Sequence, residues 1–185
     1  MIGPTKRQTA PTAHEPMNYM MLPPQGQQQI LDQLASMTTF LAKRFGALAD
    51  YEATIRVGNL PSPVEQVWHL ADLEREGFGV RIQRLLAEEG AELPDFDGTA
   101  VAQRRNYREK LLHEGLRAFA RARQDNIDVL GRVTPQEWTR RGIQQGVGPV
   151  ALGDIPTLMA EHDASHREAI NAWSARGTRQ SADAR

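Results

Sequence analysis

Apolar residues recur at steps of three and four through most of the chain. Ile30, Leu34, Met37, Leu41, Phe45 and Leu48 form one such series and predict a first helix from about Gln27 to about Asp50. A second start signal is Ser62-Pro63-Val64-Glu65, a capping box with proline at the first helical position. The helix it opens runs to about Glu88, before Gly90, on a stripe of Val64, Val67, Ala71, Phe78, Ile82 and Leu85 that Leu70, Leu73 and Val80 widen. Leu112, Leu116, Phe119, Ile127 and Leu130 mark a third helix over roughly Val101 to Gly131. Asp154, as N-cap, and Pro156, in the first turn, start a last helix that reaches about Trp173. Its apolar face carries Ile155, Leu158, Met159, Ala169, Ile170 and Trp173.

The stretches between are connectors. Tyr51 to Pro61 links the first two helices, and Gly90 to Gly98 reads as a loop. Thr134-Pro135-Gln136-Glu137 caps a short turn ending near Trp138. Residues 139–153 are glycine-rich; Val147 and Val150 suggest a short extended stretch, and no paired strands are expected. With no sustained period-two segment, the fold class is all-α, a four-helix bundle. Residues 1–25 hold Pro4, Pro11, Pro16, Pro23 and Pro24 without periodicity and read as a flexible leader in which His14 is solvated. The folded domain then covers 26–176, and 177–185 is a frayed tail.

Some polar residues fall on these apolar stripes. His162 and His166 stand one helical turn apart, near the middle of the last helix's apolar face. Two basic side chains aimed at a core need a reason, and a shared metal ion supplies one. Asp163 occupies the place of the glutamate in a metalloprotease His-Glu-x-x-His pair. Aspartate is shorter, no histidine follows, and Glu168 is too close to act as a separate ligand arm, so a protease is not the expectation. A third ligand must come from elsewhere in the chain, and the histidine candidates are His69 and His113. His113 lies off its helix's stripe; the wheel permits His69 to face inward without requiring it. Glu74 and Arg123 also fall on core faces, and Arg81 at an edge.

Composition removes several function classes. The chain has 185 residues, enough for one domain with a core, and is 40% hydrophobic and 24% charged. Its net charge of −1 leaves no electrostatic footprint for nucleic acid. It has no cysteine, so disulfides, thiolate metal sites and cysteine nucleophiles are excluded. No apolar run approaches the roughly 20 residues of a membrane span. A soluble, cytoplasmic protein with no membrane partner is expected.

His69-Leu70-Ala71-Asp72-x-Glu74 in the second helix, followed by His162-Asp163-x-x-His166-Arg167 in the last, resembles the DinB-like family of metalloenzymes, including its YfiT-type members. Arg81-Ile82, the loop Leu93-Pro94-Asp95-Phe96-Asp97, Tyr107, Phe119-Ala120-Arg121-Ala122-Arg123, Trp138 and Gly148-Pro149-Val150-x-Leu152-Gly153-Asp154 follow in the family's order, over about Gln27 to Trp173. The resemblance implies an up-down-down-up bundle and a divalent metal on His69, His162 and His166. Zinc or nickel is the first expectation, with iron and manganese compatible. It also implies a small-molecule substrate, a homodimer, and a thiol transferase or a hydrolase working through an open coordination position. The alternative is a non-catalytic, stress-associated bundle whose metal is structural and which acts through dimerisation or a protein partner.

Other polar residues carry two readings each. Glu74 and Arg123 form a buried ion pair, or Arg123 or Arg81 holds an anionic substrate group near the metal. Asp72 and Asp163 orient ligand imidazoles or sit on solvated helix surface. Tyr107 lines the pocket or packs.

Overall fold

The computed structural model describes residues 18–183, with side chains through residue 175. The expected leader up to residue 17, with His14, and the last two residues of the tail lie outside the described residues. The described part is an up-down-down-up four-helix bundle with a small sheet at one end.

Helix α1 (Pro24–Phe45) starts on proline and buries Leu34, Met37, Leu41 and Phe45, the predicted stripe. It ends sooner than expected, and a short helix α2 (Asp50–Ala53) follows. Residues ahead of α1 are more than a leader. Asn18 Nδ2 donates to Asp154 Oδ1 at 3.0 Å, and buried Tyr19 packs on Trp138 with ring centroids 4.8 Å apart.

Helix α3 (Pro63–Asp72) opens where the capping box predicts, and the Glu65 carboxylate accepts from the Ser62 N–H and hydroxyl. The predicted continuous helix is interrupted by a π-helical segment, Leu73–Phe78, before α4 (Gly79–Ala87). The Gly79 N–H reaches back to the Glu74 carbonyl, and Asn126 Nδ2 on a neighbouring helix donates to that same carbonyl at 2.9 Å. A π turn inserts a residue and rotates everything beyond it, which is why such turns gather at functional sites.

The predicted third helix is two. Helix α5 (Gly98–Arg105) stops at Asn106, whose left-handed backbone (φ 46°) is one that asparagine tolerates. A turn carrying buried Tyr107 then leads to α6 (Leu112–Leu130). Gly115 lets α6 approach α3: a Cβ there would sit 2.9 Å from Val67 Cγ1.

Two of the expected loops contain strands. β1 (Ala91–Leu93) pairs in parallel with β2 (Arg141–Gln144), and β2 pairs antiparallel with β3 (Gly148–Ala151). The strands are too short and glycine-rich to show a period, so pairing is set by contacts distant in sequence. Gly142 is required opposite Ala91, since a Cβ there would lie 2.6 Å from the Ala91 carbonyl oxygen. Asp154 directly precedes the last helix, as expected, and its carboxylate accepts from the Ala151 N–H and from Asn18, closing the turn that leads into α7 (Ile155–Asp183). Helix α7 continues past Trp173 through the stretch expected to fray. Among the described residues, no helix is long and apolar enough to cross a membrane.

The apolar core is divided into two clusters. On α1 the division falls between Leu34 and Met37; on α6, between Leu130 and Phe119; on α7, between Ala160 and Ile170. Glu74, Arg123, Asp163 and the histidine pair occupy this intervening layer.

Candidate metal centre

His69 sits in the last turn of α3, just before the π segment, while His162 and His166 lie one turn apart on α7. Their ring centroids are 5.7 Å (His69 to His162), 5.2 Å (His69 to His166) and 4.5 Å (His162 to His166) apart. One ring nitrogen from each lies within 4.8 Å of the others, and all three side chains are partly buried. The structure thus brings the three histidines together, and His113 is exposed elsewhere.

Arg123 holds the helices that carry this cluster. Its Nη1 donates to Asp163 Oδ2 (2.6 Å) on α7 and to the Leu34 carbonyl (3.0 Å) on α1. Its Nη2 donates to Asp163 Oδ1 (3.0 Å) and to Glu74 Oε2 (2.9 Å). One guanidinium therefore ties together all four long helices, and Asn126 completes Glu74 by donating to Oε1 at 2.9 Å. The fork geometry of arginine suits this task as an ammonium would not. Asp163 thus faces Arg123, and no imidazole donates to it.

Asp72 is buried as well. Its Oδ2 accepts from the Tyr107 hydroxyl at 2.6 Å and meets Arg105 Nη1 at 2.6 Å, while Oδ1 accepts from Arg75 at 2.9 Å. Neither solvated surface nor an imidazole bond describes it. It anchors the α5–α6 link to α3, and Tyr107 packs at that anchor while also bordering a cavity. Burial, then the bond to Asp72, raises the Tyr107 pKa, so the phenol stays protonated.

Burial sets the protonation of the histidines. Loss of solvent lowers the His162 pKa to about 3, with its two neighbouring imidazoles adding to the effect. His166 falls to about 4, through burial and then the nearby His69 imidazole. His69 is also lowered by burial, with Asp72 opposing the shift. All three are neutral at physiological pH and present lone pairs, the form in which histidine binds metal. His166 Nδ1 is buried without a hydrogen-bond partner, an orphan that a metal or a ligand would satisfy. The donor set therefore fits a divalent cation.

Two cavities flank the cluster. One, of about 840 Å³, is bordered by His69, His162, Leu73, Phe78, Arg81 and Phe96. The other, of about 680 Å³, is bordered by His69, His166, Gln66, Gly98 and Tyr107. His69 faces both.

Three contributors were not legible as such. Gly98 leaves room for His69: a Cβ there would come within 2.7 Å of His69 Cε1, and the ring would have to shift. Phe96 places its ring 6.1 Å from that of His69. Gln66 is buried, with Nε2 tied to the Pro61 carbonyl and Oε1 unpartnered. Its spacing of three from His69 places it on the same helix face, the one local signal available.

The model of the DinB superfamily matches residues 23–170. The chain belongs to this superfamily. Among solved structures, this DinB chain is similar to YfiT from Bacillus subtilis, described as a probable metal-dependent hydrolase with an unusual four-helix bundle topology. The TM-score is 0.76, over 96% of this chain and 95% of that one, at 17% identity, which establishes the shared DinB fold. No curated protein sequence matches the chain.

Proposed function

We propose that this DinB protein is a divalent-metal-dependent enzyme acting on small molecules, a hydrolase or a thiol transferase, with zinc or nickel held by His69, His162 and His166. The observation that carries the reading is the opening of the three-histidine cluster onto cavities on two sides. A purely structural zinc site closes itself with four protein ligands; a catalytic one keeps a position free. In this donor set a divalent ion supplies Lewis acidity and favours the deprotonated form of a water or thiol at neutral pH.

The chain's own residues do the rest. Three neutral imidazoles offer lone pairs without first losing protons. The Arg123 network holds α7 against the π segment, so His162 and His166 keep their place relative to His69. Phe78 and Phe96 give the larger cavity an apolar wall beside the cluster. Gln66, whose buried Oε1 has no partner, borders the smaller one. The likeness to YfiT supports hydrolysis as the first activity to assay. A cytoplasmic homodimer is part of the proposal.

The test is metal content by mass spectrometry on protein purified without an affinity tag, followed by ester, amide and thiol–electrophile assays. Wild type should carry close to one ion per chain and His162→Ala far less. Equal, sub-stoichiometric metal in both would end the metal reading. Stoichiometric metal whose removal lowers stability, with no activity in any assay, would favour the non-catalytic bundle.

A further inference from the structure

Arg81 lies on α4, buried to 7% exposure, on the wall of the larger cavity beside His69 and His162. It contrasts with Arg123, which is more deeply enclosed, at 2% exposure, and saturated by carboxylates. Arg81 Nε is buried without a hydrogen-bond partner, and among the described residues no carboxylate lies within ion-pair distance of its guanidinium. The exposed Asp95 acts on it only through space, and burial disfavours its charge. The Phe78 ring, 5.9 Å away, steadies the guanidinium from the side without satisfying its donors. A buried cation left with open donors is costly unless a ligand completes it.

The rest of the cavity says what that ligand is. Leu73, Phe78, Phe96, Val150 and Leu158 make much of its wall apolar. Arg141 adds a second, exposed cation at the rim. The one carboxylate on the wall, Asp154, already accepts from Asn18 and the Ala151 N–H. We propose that Arg81 is the subsite for the carboxylate of a small monoanionic substrate whose apolar body lies along Leu73, Phe78, Phe96 and Leu158. This rests on the reading of the histidine cluster as the reactive centre, because the subsite places the far end of such a molecule at His69 and His162. A planar carboxylate matches the arginine fork, and a single buried cation balances one negative charge rather than two.

Sodium hexanoate, hexan-1-ol and inorganic phosphate are the probes, titrated calorimetrically into wild type, Arg81→Met and Arg81→Lys, each metal-free and zinc-loaded. Hexanoate should bind metal-free wild type with a millimolar or tighter Kd and more tightly than hexanol or phosphate. Arg81→Met should weaken hexanoate by about tenfold to a hundredfold, the range for a lost charged hydrogen-bond pair, and leave hexanol unchanged. Arg81→Lys should fall between, having charge without the fork. Arg81→Met should melt no lower than wild type, since it removes an uncompensated buried cation.

The proposal is overturned if hexanoate does not bind wild type, if hexanol or phosphate binds as well, or if Arg81→Met stays within twofold of wild type. If Arg81→Met does not fold, the Arg81→Lys loss and the hexanoate-over-hexanol preference of wild type decide in the same senses. Zinc binding separates this inference from the one beneath it. Arg81-dependent hexanoate binding without stoichiometric zinc leaves the subsite standing and removes the metal. Normal zinc binding with Arg81-independent hexanoate removes the subsite alone.

Discussion

Replacing Arg123 by methionine tests the claim that one guanidinium holds the metal-site helices together. Methionine keeps much of the side-chain length and its packing near Phe119, but removes four hydrogen bonds, to Leu34, Asp163 twice, and Glu74. The Glu74 and Asp163 side chains are at most 2% exposed and cannot turn to water. Stripping one partner from such a buried network costs about 3–5 kcal/mol, a large share of the roughly 5–15 kcal/mol that stabilises a domain. Glu74 keeps Asn126, so most of the loss falls on Asp163. Burial already raises both carboxyl pKa values, and loss of the cation raises them further. A carboxyl whose folded pKa lies above its unfolded value destabilises fully above the folded pKa, and this penalty fades as pH falls toward the unfolded value. Urea unfolding followed by circular dichroism should therefore show the 3–5 kcal/mol loss near pH 7.5 and a smaller one near pH 5. Asp163→Asn, destabilising alone, should recover on the order of 1–2 kcal/mol in the Arg123→Met background. A loss under about 1 kcal/mol near neutrality, or one that grows on acidification, would refute the reasoning.

Gly98→Ala places a methyl group against the His69 ring and should weaken zinc affinity by about tenfold or more, with little loss of fold stability, as read by chelator competition and a thermal melt. In metal-free protein the lowered histidine pKa values give the opposite pH dependence to the carboxyls. As pH falls from 6.5 toward about 4, the unfolded chain takes up protons on His162 and His166 that the folded one refuses, so stability drops by on the order of 1 kcal/mol per pH unit for each of these two. His166→Gln should flatten that slope; identical slopes would contradict it, and Glu74, common to both proteins, cancels in the comparison. Tyr107→Phe should cost about 1.5–3 kcal/mol by removing a buried hydrogen bond to a carboxylate, and a loss below about 0.5 kcal/mol in urea titration would show that Asp72 is fully served by its arginines.

Much of the bundle was legible in the sequence because helical burial repeats locally. The stripe of α1, the start of α3 at Ser62 and the shared face of His162 and His166 all follow from spacing alone. The wheel gave no decision on His69, and the π segment gives the reason. A wheel drawn across residues 64–88 at one constant angle mixes two phases, because the turn at Leu73–Phe78 inserts a residue between them. Nothing local announces that insertion; it is stabilised by Asn126, some fifty positions away. The sheet escaped for a similar reason, since β1 and β2 meet across a long stretch of chain and are too short to show alternation.

By itself, then, the sequence determined the four helices, the histidine pair and the presence of charge in the core, all properties of residues within a few turns of each other. Only the tertiary structure decided the partners of those charges. Asp72 and Asp163 were each open to two readings, and both proved to be buried ion-pair anchors. Arg81 and Arg123 were interchangeable candidates for an anionic group until packing gave one of them two carboxylates and the other none. Burial raises the cost of an unpaired charge, but which charge goes unpaired depends on what distant helices bring beside it.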